Sequence, residues 1–431
     1  MVISVSDHQL SPERPAGKRL RVLMLVENNF PADSRVRNEA RTLSEAGYSV
    51  AVIALRKRGE TFLEEVNGVR VYRMPTLTVF KKLGGGRGTV GRIIARFQSW
   101  AGYFFEYVYF TVGCFLLSIY AAFRDGVDVV HAHNPPDTLF MVGAFHRLLG
   151  KRFVFDHHDL SPELYLSRFG MREGGGSLVY KVLLMCERLS LRTANIAIAT
   201  NESYREIEIE RGGIAEDKVF VVRNGPDRRR MRTVRPDPDL LATGKSILCY
   251  LGAMNPQDGV DYMLRALQHL AFTLDRKDFY CIVIGMGDAC DDLKVMAEIL
   301  GLKDHVRFTG FISDEELLRY LSTAHICLDP NPSSPLNDVS TWIKVMEYMA
   351  MAKPIVSFAL KETRVTAQDA AVYVEPNDEL AFAREIALLM DRRDLREKMG
   401  EFGKRRVDES LAWEFVSQNL LRAYARLGGS K

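Results

Sequence analysis

Three short stretches carry the residue types that could do chemistry. Val129-Val130-His131-Ala132-His133-Asn134 ends one strand-like run, and Phe155-Asp156-His157-His158-Asp159 ends another. His131 and His133 are two residues apart, so they share one face of a strand. Polar groups gathered at strand ends can hold a substrate hydroxyl or move a proton. Ranked second is a metal site in which Asp156 or His158 joins His131 and His133. The third stretch runs from Asn337 to Ala350, where Ser340, Lys344 and Glu347 are spaced by four and then three residues. On a helix they fall on one face, and Asp338, Ser340 and Thr341 are expected to cap its start. A helix start beside a lysine suits phosphate oxygens, and Glu347 one turn deeper can accept from ribose hydroxyls. The bland alternative is a capped helix carrying a Lys344–Glu347 ion pair.

Other segments offer backbone or weaker side-chain signals. Gly285-Met286-Gly287 follows a strand-like run and can bring backbone close to a pyrophosphate. Gly310 to Ile312, at another strand end, could hydrogen-bond a base. The Asn29–Arg37 loop places Asp33 or Ser34 as a helix cap, with Arg35 and Arg37 either facing a cleft or solvating its rim. Arg228-Arg229-Arg230 and Asp237-Pro238-Asp239 lie in a Pro-rich stretch, where a solvated linker face and an acidic loop are expected.

The elements that must position these groups alternate strand and helix. Arg21–Val26, Ser49–Leu55, Val69–Arg73, Val127–Ala132, Arg152–Asp156, Asn195–Ala199 and Val219–Val222 read as strands in the first half. Ser246–Leu251, Phe279–Ile284, Val306–Phe308, His325–Asp329 and Ile355–Phe358 do so in the second. This predicts an α/β chain of two doubly wound, Rossmann-like domains facing a cleft. The expected layout is a loose tail at 1–18, a first domain at 19–223, a linker at 224–245 and a second domain at 246–405. A final helix at 406–431 crosses back to the first domain. The length, 431 residues, supports two domains, and 47% apolar with 26% charged residues is globular composition. The net charge of +3 selects no partner class. Six cysteines without paired spacing are expected as buried thiols of a cytoplasmic protein.

One segment points to a lipid surface. Trp100 to Phe123 carries a single charge, Glu106, yet strands of one sheet flank it on both sides, which argues against a span. Shallow contact by Trp100, Phe104, Phe105 and Tyr109 is expected, with Lys81, Lys82, Arg87, Arg92 and Arg96 drawing anionic headgroups.

With these residues in view, the chain resembles glycosyltransferase family 4 enzymes of the GT-B fold, of the kind that build bacterial surface polysaccharides. The resemblance spans about Leu20 to Leu427. It rests on Phe30-Pro31-Ala32-Asp33-Ser34-Arg35-Val36-Arg37, Val130–Asn134, Asp156–Glu163, Val306–Gly310 and Lys344–Val356. It implies a retaining hexosyl or N-acetylhexosaminyl transfer, without an essential metal or bound cofactor. The donor is a nucleotide sugar, UDP-linked in preference to GDP-linked. The acceptor is a polyprenyl-linked saccharide, with the enzyme on the inner face of the cell membrane and no nucleic acid partner. Glu347 matches the second glutamate of the family's Glu-x7-Glu signature, on the ribose. His133, or in its place His131, matches the histidine near donor sugar and acceptor; His158 and Arg35 sit with it. Ser340, Thr341 and Lys344 hold the diphosphate, and Gly310 and Ile312 the base. Two departures stand out. Val339 replaces the signature's first glutamate, with Asp338 adjacent, and the loop Gly252–Gly259 lacks the expected Arg and Lys. These departures leave open a protein that binds a nucleotide sugar with little turnover. A metal-dependent hydrolase on His131, His133, Asp156 and His158 is the other alternative.

Overall fold

The structure, a computed structural model, describes residues 20–77, 89–169 and 178–429. The expected tail and Lys81, Lys82 and Arg87 lie outside them, as do the side chains of Arg92, Arg96, Trp100 and Phe104. In the first half the strands are β1 (Arg21–Asn29), β2 (Ser49–Arg56), β3 (Leu63–Val66), β4 (Val69–Pro75), β5 (Val129–His133), β6 (Arg152–His157), β7 (Ile196–Ala199) and β8 (Val219–Val221). They form one sheet in the order β3-β4-β2-β1-β5-β6-β7-β8. β1 pairs in parallel with β2 and β5, and β5 with β6. Their near-continuous apolar runs follow from helices covering both faces.

The first sheet departs from the expectation at one edge. β3 is antiparallel to β4, joined through Asn67-Gly68 with both residues at positive φ. Asn-Gly is the dipeptide that favours this hairpin turn, and it was the available signal. The sequence Leu-Glu-Glu-Val hid the strand, because an edge strand needs no buried central residues.

The second half supplies β9 (Ser246–Leu251), β10 (Phe279–Ile284), β11 (Val306–Gly310), β12 (Ile326–Asp329), β13 (Ile355–Phe358) and β14 (Ala371–Val374). Their order is β11-β10-β9-β12-β13-β14, all in parallel. Renumbered from its first strand this is 3-2-1-4-5-6, the doubly wound order. β14 was not expected; it is four residues long and half-buried at its centre. The order reverses between β9 and β12 here, and between β1 and β5 in the first sheet. Ligands of open α/β sheets bind at the carboxyl ends of the strands at such points.

The chain divides into two compact units. One comprises residues 1–158, 186–197 and 420–431; the other, 159–185 and 198–419. The helix Trp413–Gly429 therefore begins in the second and ends in the first. All six cysteines are buried and free.

Candidate active site

In the first unit, β5 and β6 run in register with His133 opposite Asp156 and His131 opposite Val154. His131 and His133 share a face, with ring centroids 4.3 Å apart. The helix Ser34–Glu45 enters through a loop capped by Asp33, whose carboxylate accepts from the Val36 N–H at 3.0 Å. Arg35 and Glu39, one turn apart on that helix, reach the histidines. Arg35 Nε and Nη2 donate to Asp156 Oδ2 and Oδ1 at 3.0 and 2.7 Å, and Nε also lies 2.9 Å from His158 Nε2. Of the two placements expected for Arg35, the solvated rim is excluded: the side chain is buried and paired with Asp156. Arg37 instead donates to the Pro31 carbonyl.

His133 Nδ1 lies 3.1 Å from Asp156 Oδ2, which fixes the ring and leaves Nε2 buried without a hydrogen-bond partner. His131 Nδ1 hydrogen-bonds the Tyr424 hydroxyl at 2.9 Å. Burial holds both histidines below their ordinary value, so they are neutral at pH 7. Burial also works against the Asp156 charge, but Arg35, with His158 and His133, holds this carboxyl well below the usual range. Burial and the Asp156 charge push Glu39 well above its usual range. Ligand atoms of Glu39, His131, His133 and Asp156 lie within 4.8 Å of one another, as a metal site would need. The positive charge there is already supplied by Arg35, bidentate on Asp156 and 3.2 Å from Glu39 Oε1. An ion would have to displace that guanidinium, so the donor set fits an arginine-centred cluster better than a metal.

In the second unit, β9 and β12 end at the switch point of the sheet. Tyr348 ties the helix Ile343–Ala350 to both: its hydroxyl accepts from the Leu251 N–H at 2.7 Å and donates to the Leu328 carbonyl at 3.3 Å. One turn earlier, Lys344 Nζ lies 3.2 Å from Asp329 Oδ1 and donates to Asn331 Oδ1. It also lies 5.1 and 5.0 Å from the ring centroids of Tyr250 and Trp342, favourable positions for a cation. Ser357, opposite Asp329 on β13, donates to its other oxygen at 2.9 Å.

The start of this helix differs from the expectation. Trp342 is its N-cap and no side chain caps it. Ser340 Oγ donates to the Leu336 carbonyl, Thr341 Oγ1 accepts from Asn201 and donates to Glu362, and Asp338 accepts from Ser333. A short 3₁₀ turn, Asn337–Val339, diverts all three polar residues into the preceding loop. The Lys344–Glu347 ion pair does not form either. Glu347 pairs with Arg230 Nη1 at 3.2 Å, while Lys344 turns to Asp329.

Gly285 and Gly287 are required by protein backbone. A Cβ at Gly285 would stand 1.9 Å from the Gly252 carbonyl, and one at Gly287 2.4 Å from Met254 backbone. The two loops are joined by bonds from Met254 N–H to Met286 O and from Ala289 N–H to Met254 O. Gly310, at φ +72°, faces open space, and Ile312 is half-buried.

Two family models match in sequence order. Residues 32–225 match the glycosyl transferase 4-like domain, and 233–406 match glycosyl transferases group 1. The chain belongs to the GT-B glycosyltransferases. An uncharacterized glycosyltransferase of Methanocaldococcus jannaschii is 22% identical over 378 residues, 84% of this chain and 85% of the relative. Among solved structures, sucrose-phosphate synthase from Thermosynechococcus elongatus matches with a TM-score of 0.74 at 17% identity, covering 96% of this chain and all of that one. Anabaena HepE, in complex with UDP-glucose, matches with a TM-score of 0.67 at 14% identity, covering 96% and 100%. The two Rossmann-like units are those of the GT-B fold.

Several residues of this glycosyltransferase's clusters were not singled out from sequence. Glu39 sits four residues after Arg35, a spacing that pairs charges on a helix. Asp329 ends β12 and Asn331 lies two residues beyond it, polar residues closing an apolar strand in the pattern already used for Asp156. Arg230 was concealed in a basic run; the run is exposed at Arg228 and Arg229, but Arg230 is half-buried. Tyr424 gave no signal. At the two departures, the Val339 carbonyl accepts from Asn201 Nδ2 at 2.8 Å, and Asp258 closes a capping box with Asn255. Asp237 caps the short helix Pro238–Ala242.

The long helix Thr89–Arg124 packs Phe110, Cys114 and Ala121 inward, near β1, β2 and β4. Along its other side Phe105, Val108, Val112, Leu116, Tyr120 and Phe123 are exposed in steps of three and four. Tyr109, expected on that side, is half-buried, and its hydroxyl donates to the Pro75 carbonyl at 2.9 Å.

Proposed function

We propose that this glycosyltransferase moves a hexosyl or N-acetylhexosaminyl group from a nucleotide sugar, UDP-linked in preference to GDP-linked, to a lipid-linked saccharide, with retention. The observation that carries the donor assignment is Lys344. It is a buried ammonium at the uncapped start of a helix, at the switch point of the second sheet. Such a start offers N–H groups and a favourable dipole to phosphate oxygens, and Lys344 adds a full charge. The binding of UDP-glucose by HepE, which shares the fold, supports the same donor class.

In this reading Lys344 and the helix N–H groups, with the segment Ser340–Thr341, hold the diphosphate. Glu347 accepts from the ribose and Gly310 to Ile312 face the base. His133 Nε2, unpartnered and neutral, accepts from a hydroxyl of the sugar or acceptor. Arg35, His131 and His158 hold His133 in place. The sugar–phosphate bond breaks and its electron pair leaves with the diphosphate. The acceptor oxygen bonds to the anomeric carbon from the same face, and its proton passes to a donor phosphate oxygen. Fixed positive groups at the leaving diphosphate are the main source of rate in such a step.

The exposed apolar side of Thr89–Arg124 supports a lipid-linked acceptor and a peripheral place on the inner face of the cell membrane, in surface polysaccharide assembly. The domain limits we propose are 19–223 and 246–405, with a linker at 224–245.

Thermal melting with UDP, GDP, ADP and their sugars tests the donor site, since ligands of the native state raise the melting temperature. One nucleotide class is expected to raise it in the wild type and not in Glu347→Ala. No shift with any of them would overturn the reading. Liposome flotation tests the membrane side. Leu116→Ser with Phe123→Ser is expected to reduce binding, and unchanged binding would remove the membrane from the proposal.

A further inference from the structure

Arg230 has no role in the reading above, yet it joins two parts of the donor site. Its Nε and Nη2 donate to Asp314 Oδ2 and Oδ1 at 3.1 and 2.8 Å, and its Nη1 donates to Glu347 Oε1 at 3.2 Å. Asp314 opens the helix Asp314–Thr323, two residues beyond Ile312. One guanidinium from the 224–245 segment thus links the ribose carboxylate to the end of the base-facing loop. A paired fork on Asp314 fixes the guanidinium plane, which a single ammonium could not do. The pair is more than a solvated surface contact, because the Glu347 side chain is only 13% exposed. Its Oε1 is taken by Arg230, and Oε2 has no partner among the described residues.

We propose that Arg230 is the positioning residue of the nucleoside subsite: braced by Asp314, it holds the Glu347 carboxylate so that Oε2 receives a ribose hydroxyl. This rests on the reading of Glu347 as the ribose group. Arg230 acts through Glu347 and therefore affects discrimination between ribose and deoxyribose more than affinity for the phosphates.

The test is calorimetric titration of the full chain with UDP, GDP and ADP and with their 2′-deoxy counterparts. The proteins are wild type, Glu347→Gln, Arg230→Gln, Arg230→Lys and Asp314→Asn. The wild type is expected to prefer the ribonucleotide by about tenfold or more, the scale of a hydrogen bond to a charged group. Arg230→Gln is expected to bind the deoxynucleotide as the wild type does and to lose the preference. Arg230→Lys and Asp314→Asn are expected to lose part of it. A preference kept in Arg230→Gln but lost in Glu347→Gln overturns the proposal and leaves the donor site standing. Equal weakening of both nucleotides by Arg230→Gln also overturns it. No binding to the wild type, or a preference kept in Glu347→Gln, overturns the donor site and the proposal with it. Melting curves check each fold. If Arg230→Gln is unfolded, an unchanged preference in both Arg230→Lys and Asp314→Asn overturns the proposal.

Discussion

Arg35 and Lys344 are both buried cations at a switch point, yet their surroundings differ in what they leave over. Arg35 is enclosed: Asp156 takes two of its bonds, and Glu39 and His158 lie within 3.2 Å. Lys344 has three donors: one goes to Asn331, Asp329 Oδ1 lies 3.2 Å away without a hydrogen bond, and the Tyr250 and Trp342 rings lie close by. The first arrangement spends its charge on the protein and leaves a neutral, buried histidine nitrogen without a partner. The second keeps capacity for an anion. A buried cation is therefore evidence of ligand binding only when its donors are not already satisfied.

The contrast predicts opposite outcomes for the same type of change. Arg35→Met takes the guanidinium from buried Asp156 and leaves it only its contacts with His133 and His158. It is expected to cost about 3–5 kcal/mol of stability, read by urea unfolding. A loss below about 1 kcal/mol would mean that the cluster is wetter than it looks and that the comparison fails. Lys344→Met is expected to lower turnover by about 10²–10³-fold, the effect of removing one preorganised charge at a leaving group. It also leaves Asp329 unpaired, so Lys344→Met combined with Asp329→Asn is the sharper form. That double variant is expected to regain melting temperature and not turnover. Recovery of both would make Lys344 a structural cation like Arg35.

The same contrast explains what could be read in advance. The parallel strands were legible because burial on both faces writes continuous apolar runs, as at Val22–Val26 and Ile282–Ile284. The histidine cluster was legible because polar residues interrupt such runs at strand ends. Which partner each group would take was not. Lys344 and Glu347 share a helix face, and spacing alone pairs them. The structure instead gives Lys344 to Asp329, fifteen residues earlier, and Glu347 to Arg230. Those choices depend on the order β9-β12-β13 and on where the 224–245 segment lies, neither of which is a local property of sequence. Similarly, Asp338, Ser340 and Thr341 are good caps by type, but a 3₁₀ turn three residues long was enough to point them elsewhere.

A smaller effect tests the back of the histidine cluster. Tyr424→Phe removes the hydrogen-bond partner of His131 Nδ1 and leaves that nitrogen buried without one. The expected cost is about 1–3 kcal/mol. Turnover is expected to change little, since His133 keeps its own bond to Asp156. In acid, wild type and variant alike lose stability. His131 and His133 are held below 6.5, so the unfolded chain takes up protons that the folded one refuses. Their contribution is present above pH 6.5 and is lost as the pH falls from there toward the folded values.

The smallest expected effect, near pH 5, is that of Glu39→Gln, and its pH dependence decides how the cluster's charge is shared. Arg35 faces two carboxylates and can fully neutralise one. If Asp156 holds the charge, Glu39 carries a proton, and glutamine replaces it with a neutral group of nearly the same shape. Glu39 is held above its ordinary 4.5, so the wild type is penalised as the pH rises past 4.5, where only the unfolded chain ionises. Glutamine escapes that penalty. The variant is therefore expected to match the wild type near pH 4.5 and to gain on it by up to about 1.4 kcal/mol per pH unit, until folded Glu39 ionises. Urea unfolding between pH 4.5 and 7 reads the gap. A constant gap, or one that favours the wild type as pH rises, would show that Glu39 is ionised in the fold. Arg35 would then be shared by two anions, and the enclosed site would be electrostatically closer to the open one than its geometry indicates.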